Sequence, residues 1–373
     1  MSKRFFLNLA PLGAILLVLI AACPGNAVDA DRVLERLSDQ EFWKLATDCS
    51  EPDGTFRSEN LVSNEIRFQT IIPELKQTAK KGRAYLGVGS EQNFSYIPAV
   101  RPSIAFIIDI RRGNLDLHLV YKALFEMSTG RADFVSRLFS RKMPENLTDS
   151  STASDIFAAL RKATPDRDFY EKNLKEIKSH LMDTHGFSLS KVDLDGIDFV
   201  YGSWFKSGPD ITYELTMPVP GMDGSMVRPG AFAGFFPTYE ELMTATDGAG
   251  KNQCFLATEA TFKIIKDLES RNLIVPVVGN FGGPKALRAV GAWLKKQKII
   301  VSAFYTSNVE QYLKDDGIWD QFCLNAREIP VDDDSLFIRS RRSGFRGQQA
   351  VSGPGFALEL VPVKPALVSC TSP

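Results

Sequence analysis

Two stretches decide the fold: Ala84-Tyr-Leu-Gly-Val-Gly-Ser-Glu-Gln-Asn93 and Ile274-Val-Pro-Val-Val-Gly-Asn-Phe-Gly-Gly-Pro-Lys285. Each is a short apolar run that ends in glycine and leads into a helical pattern. Glycine has no Cβ, so backbone or ligand can come close at such a turn. A helix that starts there directs unpaired N–H groups at whatever lies above it. Together they predict an α/β fold: a doubly wound, mostly parallel Rossmann-like sheet with a pocket beyond its strand ends.

Working outward, the apolar periodicity predicts a helix over 31–46, a polar turn at Ser50-Glu-Pro-Asp-Gly54, a helix over 65–80, strands 84–88 and 104–110, and a helix over 91–100 between them. Helices follow over 114–127, 134–139, 155–162 and 169–184, and residues 128–190 read as a helical insertion. Segments 197–204 and 211–215 read as strands. Residues 217–254, rich in Gly and Pro at first, read as a long loop. Then come helix 258–269, strand 273–278, helix 284–296, strand 299–305 and helix 309–314. Segments 327–331 and 335–339 form a closing antiparallel pair, and 342–373 is a flexible tail. The expected domain is single, spanning 31–341.

The first residues read as an export signal: Lys3 and Arg4, then an apolar run from Leu9 to Ala22. Ile20-Ala-Ala-Cys23 fits a lipoprotein signal cleaved before Cys23, and Gly25-Asn-Ala27 fits ordinary cleavage. An uncleaved anchor is the third reading. All three place the folded part outside the cytoplasm, in the periplasm or tethered to a membrane as a lipoprotein. Membrane contact is expected only through the signal or a lipid. Without Lys3 and Arg4 the formal charge moves from −1 to −3, which disfavours nucleic acid as a partner. Four cysteines remain beyond Cys23 (Cys49, Cys254, Cys323 and Cys370); they allow three connectivities, and one disulfide or none is expected.

Gly87 and Gly89 form a GxG after the first strand, and Asp109 ends the second strand 20 residues past Gly89. An acid in that place accepts hydrogen bonds from ribose hydroxyls in nucleotide-binding Rossmann units. The third glycine of that fingerprint is replaced by Gln92. The competing reading is a tight turn with a carboxylate paired to Arg111 or Arg112. Gly87, Gly89, Asp109, Arg111 and Asn280 form the expected cofactor-binding set, and Asn93, Lys285, Tyr305 and Asn308 the expected substrate-binding set. Lys285 at a helix start suits an anion, or is simply a surface lysine. Asn308 is a ligand group or a helix cap. The polar stretch Asn60, Ser63, Asn64, Glu65 is a cap or a flap over the crevice. His118 sits on an apolar helix and reads as a core residue. His180 and His185, five apart, are out of step on an α-helix, so no metal site is expected. With no GxSxG elbow and no P-loop, no catalytic residue is assigned.

The core resembles that of Rossmann-type S-adenosylmethionine-dependent methyltransferases, which carry a glycine loop after strand one, an acid after strand two and often Asn or Asp at the end of strand four, where Asn280 is placed. That resemblance implies S-adenosylmethionine as a cofactor. A second resemblance, to an uncharacterised family of bacterial proteins, rests on Phe56-Arg-Ser-Glu-Asn-Leu-Val-Ser-Asn-Glu65, Gly87-Val-Gly-Ser-Glu-Gln-Asn-Phe94, Phe106-Ile-Ile-Asp-Ile-Arg-Arg112, Val278-Gly-Asn-Phe-Gly-Gly-Pro-Lys-Ala-Leu-Arg288 and Ser302-Ala-Phe-Tyr-Thr-Ser-Asn-Val-Glu-Gln-Tyr312; it implies no activity. Three functions stand open: an exported small-ligand binder of methyltransferase-like fold, an active methyltransferase, and an exported enzyme with another small substrate.

Overall fold

The computed structural model describes Met1 and residues 34–144, 146–214, 216, 219–220, 226–227, 234–342 and 356–370. The expected signal segment therefore lies outside the described residues. Six strands form one sheet: β1 (Ala84–Gly87), β2 (Ile104–Asp109), β3 (Ile274–Val278), β4 (Val301–Ser307), β5 (Leu336–Arg342) and β6 (Phe356–Pro362). Their order is β3-β2-β1-β4-β5-β6. The first five are parallel, and β6 runs antiparallel to β5 from Leu336↔Pro362 to Arg342↔Phe356. This is a Rossmann-like α/β fold. The chain order reverses at β1, and in such sheets the ligand crevice lies at that switch, beyond the carboxyl ends of the strands.

Local sequence explains the inner strands. Every residue of Ile104–Asp109 and Ile274–Val278 is buried, as expected where helices cover both faces. Pro276 lies in β3, whose only strand neighbour among the described residues is β2, so this edge strand tolerates a missing N–H. Among the described residues no helix is long and apolar enough to cross a membrane.

Several expectations are corrected. Residues 197–204 are not a strand but part of the helix Lys191–Ser207, opened by a capping box in which Ser190 and Asp193 exchange bonds. Its buried residues Ile197, Val200, Tyr201 and Trp204 recur at helical spacing. The insertion's helices, Arg131–Phe139, Ala153–Lys162 and Arg167–Ser179, thus continue to residue 207. Of the expected strand 211–215, position 215 lies outside the described residues, and among those described Thr212 makes an isolated bridge to Thr238. The segment 217–254 contains a two-stranded ribbon, Val219–Pro220 with Met226–Val227, and the helix Tyr239–Thr244. At the carboxyl end, 327–331 is no strand and pairs with none among the described residues: β5 lies parallel to β4 and takes β6 as its antiparallel partner. The expected tail therefore supplies β6 and the helix Val363–Ser369, tied back by a Cys323–Cys370 disulfide. Cys49 and Cys254 are free and buried.

Candidate functional site

A cavity of about 260 Å3 opens beyond the strand ends. Val88 and Gly89 follow β1, Ile108 to Ile110 close β2, Gly279 to Phe281 follow β3, and Ser307 to Val309 close β4; all of these line it. The facing wall comes from Thr55, Phe56, Arg57, Asn60, Ser63 and Asn64, with Tyr213 and Tyr312 completing it. Asp109 and Asn280 thus share one mouth, together with Gly89 and Asn308.

Asp109 brings a buried carboxylate to this wall. It is only 6% exposed. One carboxylate oxygen accepts the Arg111 N–H at 3.1 Å. The Gly89 backbone and the Asn60 side chain also bond to it. Burial nevertheless dominates those bonds and the Arg111 charge, and pushes its pKa up to about 6. The residue therefore changes from acid to carboxylate near pH 6 and is mostly ionised at neutral pH.

The surrounding turns are held in unusual conformations. Gly89 has φ +78°, and its carbonyl accepts from Asn114 Nδ2 at 2.8 Å and from His118 Nε2 at 2.9 Å. That bond fixes the proton of His118 on Nε2, and burial lowers its pKa to about 4, so the ring is neutral. Asn60 (φ 48°) and Ser307 (φ 52°) are two non-glycine residues in the left-handed region, both on the cavity wall. Such backbone costs on the order of 1–3 kcal/mol per residue and collects at ligand sites. The pairing of β4 with β5 slips between Tyr305 and Ser307, where the chain turns into the cavity.

Behind the cavity lies a buried polar relay. Glu65 accepts from Tyr305 Oη and Ser307 Oγ, each at 2.8 Å, and Gln92 Nε2 donates to Tyr305 Oη at 2.8 Å. Burial raises the pKa of Glu65 and puts that of Glu91 at about 7. The Glu91 carboxylate accepts the Ser63 N–H at 3.2 Å, which pins the facing wall to the β1 turn.

The sequence-predicted residues divide. Gly89, Asp109, Asn280 and Asn308 line the cavity, and so does Gln92 in place of the third glycine. Gly87 does not: a Cβ there would lie 2.0 Å from Asn93 Oδ1, so this glycine makes room for a side chain rather than a ligand. Asn93 is wholly buried as a brace, accepting from Tyr85 Oη at 2.8 Å and donating to the carbonyls of Val88 and Ser90 at 2.9 and 2.8 Å. Tyr305 is buried in the relay, outside the cavity wall. Arg111 turns its guanidinium onto Glu59 and the Ser58 carbonyl, clamping the facing segment. Lys285 points its ammonium at the Ser50 carbonyl, 2.7 Å away. The anion niche expected at that helix start is filled from within. Glu51 accepts the N–H groups of Lys285 and Ala286 at 2.8 Å and of Asn280 at 3.2 Å. Asn280 follows the third strand of the sheet in chain order, not the fourth; β4 ends at Ser307. Its Oδ1 accepts the Gly282 N–H at 2.9 Å.

Sequence reasoning missed the aromatic wall. Phe56 and Tyr312 meet edge to face with ring centres 5.2 Å apart, and the Arg57 guanidinium lies 4.7 Å from the Tyr312 ring centre. The polar stretch at 60–65 was the available signal: Asn60, Ser63 and Asn64 do border the crevice, while Glu65 turns into the relay.

No curated protein matches the chain. A family model described as a domain of unknown function, DUF7790, matches residues 60–189 and 233–361, spans that include the strands β1 to β5 and most of the cavity wall, and the chain belongs to that family.

Proposed function

We propose that the cavity binds a small ligand of nucleoside type, an adenosyl group being the best fit, in a protein that works in the cell envelope. The observation that carries this reading is the convergence of Gly89, Asp109 and Asn280, from three neighbouring parallel strands, on one cavity. Asp109 at the end of β2 would accept the ribose hydroxyls. The rings of Phe56, Tyr213 and Tyr312 offer faces and edges to a flat base. A cavity of about 260 Å3 lies just under the roughly 300 Å3 at which small-ligand pockets begin, which favours a compact ligand such as one nucleoside over a dinucleotide.

Charge narrows the class. Among the described residues, Arg57, Asp109 and Asp316 are the charged ones on the wall, two acids to one base. The neighbouring helix start is already neutralised by Glu51. A neutral or cationic nucleoside therefore fits better than a nucleotide polyphosphate. S-adenosylmethionine, with its sulfonium, belongs to that class, and methyl transfer is the second reading, favoured by the order β3-β2-β1-β4-β5 with the acid after β2. Export is supported by the signal-like start and by the Cys323–Cys370 disulfide, a bond that persists in oxidising compartments.

Calorimetry of the purified protein with adenosine, S-adenosylmethionine and S-adenosylhomocysteine tests the ligand class. Binding that Asp109→Ala abolishes is expected; absence of heat from all three refutes the nucleoside reading. Fractionation of cells carrying the wild type and Cys23→Ser tests the location, and purely cytosolic protein overturns export.

A further inference from the structure

Away from the cavity, Glu126, His180 and His185 bring one carboxylate oxygen and two ring nitrogens to within 4.8 Å of one another. We propose that these three side chains form a binding site for a single divalent transition-metal ion of the zinc class.

The local backbone makes the site. Residues His180–Thr184 form a π-helical turn continuing the helix Arg167–Ser179, and the His185 N–H donates to the His180 carbonyl at 3.1 Å. On an α-helix, side chains five apart point well away from each other. A turn closed by i→i+5 bonds returns them to the same side. The two imidazoles accordingly meet edge to face, with centres 4.9 Å apart. Such π-turns are rare and concentrate at functional positions.

Both rings aim at one atom. His180 Nε2 lies 2.5 Å and His185 Nε2 2.6 Å from Glu126 Oε2. Glu126 comes from the helix Arg112–Met127, so the set joins two separate segments. Two neutral imidazoles and a carboxylate are the donors that zinc and its neighbours prefer, at about 2.0–2.2 Å. A tetrahedral ion at that range needs donor atoms roughly 3.3 Å apart, so entry of the ion opens the present contacts by less than 1 Å.

An outer shell is already built. His185 Nδ1 faces Asp39 Oδ1 at 2.6 Å, and that oxygen also accepts from Asn272 Nδ2 at 2.8 Å. A ligating histidine typically gives its second N–H to a carboxylate in this way, which fixes the tautomer and turns the other nitrogen toward the metal. The remaining oxygen of Glu126 is held by Lys122 Nζ at 2.7 Å, leaving Oε2 for the ion. Phe187 stacks on His185 at 5.0 Å and walls off that side. An entry path exists as well: His180 forms part of an open surface hollow, beside Met127 and Thr184. Water or a small ligand from the hollow would supply the fourth donor.

The test uses the full chain as purified, stripped with a chelator and titrated with Zn2+ by calorimetry and by competition with a chromophoric chelator. Co2+ loaded in parallel gives a visible spectrum that reports coordination. One ion per chain is expected, with the absorption of a four-coordinate nitrogen–oxygen site. His180→Ala, on the more open ring, should weaken binding roughly 100-fold or more. Asp39→Asn should weaken it about 10–100-fold without removing a ligand. Circular dichroism of each variant separates loss of metal from loss of fold, and Glu126→Gln, nearly the same shape, is the fallback if His180→Ala does not fold. No saturable Zn2+ binding by the wild type overturns the proposal and leaves the cluster an imidazolium–carboxylate ion pair only. Binding that survives both His180→Ala and Glu126→Gln unchanged overturns it equally, by placing the ion elsewhere.

Discussion

Asp109 should cost the folded chain stability at neutral pH, and Asp109→Asn exposes that cost. Its pKa stands at about 6 in the fold, against a reference of 3.8, because burial outweighs the bonds that favour the anion. A raised acid pKa means that the native state binds protons more readily than the unfolded chain, so stability falls as pH rises between those two values. Linkage gives a penalty of about 1 kcal/mol at pH 4.5 and about 3 kcal/mol at pH 7.5. Asparagine carries no charge at either pH. It does lose one acceptor facing the N–H groups around it, an offset of about 1 kcal/mol that is the same at both pH values. The pH-independent offset cancels in the comparison. Urea unfolding of both proteins should therefore show Asp109→Asn gaining about 2 kcal/mol on the wild type between pH 4.5 and pH 7.5. A variant-minus-wild-type difference that stays flat over that range refutes the argument, because it would mean that the carboxylate is not penalised by its surroundings. The same variant should bind the nucleoside more weakly, making this a position where stability and ligand recognition oppose each other.

Three further outcomes follow from the geometry. Gly87→Ala forces a Cβ to 2.0 Å from Asn93 Oδ1 and breaks the brace to Tyr85; thermal unfolding should show a loss of roughly 3 kcal/mol, and an unchanged midpoint refutes the brace. Glu51→Ala uncaps the helix Ala286–Gln297 and strips three N–H groups of their acceptor; a loss of about 1–2 kcal/mol is expected, partly restored by phosphate or sulfate in the vacated niche, and indifference to either anion speaks against that niche. Reduction of Cys323–Cys370, which spans 47 positions, should remove up to about 4 kcal/mol by releasing the unfolded chain from its loop; equal urea midpoints with and without reductant would show that the link contributes nothing.

The strand ends were legible because their signals are local. Ile104–Asp109, apolar up to its last residue, and Ile274–Val278, apolar throughout, are short and bounded by turn residues, a pattern that a buried parallel strand shares with little else at that length. The acid at 109 and the glycine at 89 could be placed for the same reason: a strand end fixes where its next residues point. Ile197 to Trp204 misled because Val, Tyr, Phe and Trp crowd one run, and strand propensity in such a run masks the helical spacing of its buried members. Exposed Phe199 is the giveaway, an apolar side chain on the outer face of that helix. β6 went unseen because it follows a basic, glycine-rich segment, although Phe356-Ala-Leu-Glu-Leu-Val361 has strand character. The aromatic wall was out of reach for a different reason. Phe56, Tyr213 and Tyr312 are far apart in the chain, and only tertiary packing brings them together. Local sequence also put Gly87, Asn93 and Tyr305 at the crevice, whereas they lie in the core and the buried relay, since a turn's neighbours can face the core or the crevice with the same composition.

The helix Arg112–Met127 has a consequence beyond its place in the core. Near its first turns, Asn114 and His118 grip the Gly89 carbonyl at the cavity; two turns further on, Glu126, itself held by Lys122, meets the histidine pair. A helix advances about 1.5 Å per residue, so His118 and Glu126 stand roughly 12 Å apart on one stiff rod. A shift or rotation of that rod cannot alter its grip at one end without moving the other. If a nucleoside and a metal ion communicate through it, thermodynamics requires the traffic to be mutual: each must change the other's dissociation constant by the same factor.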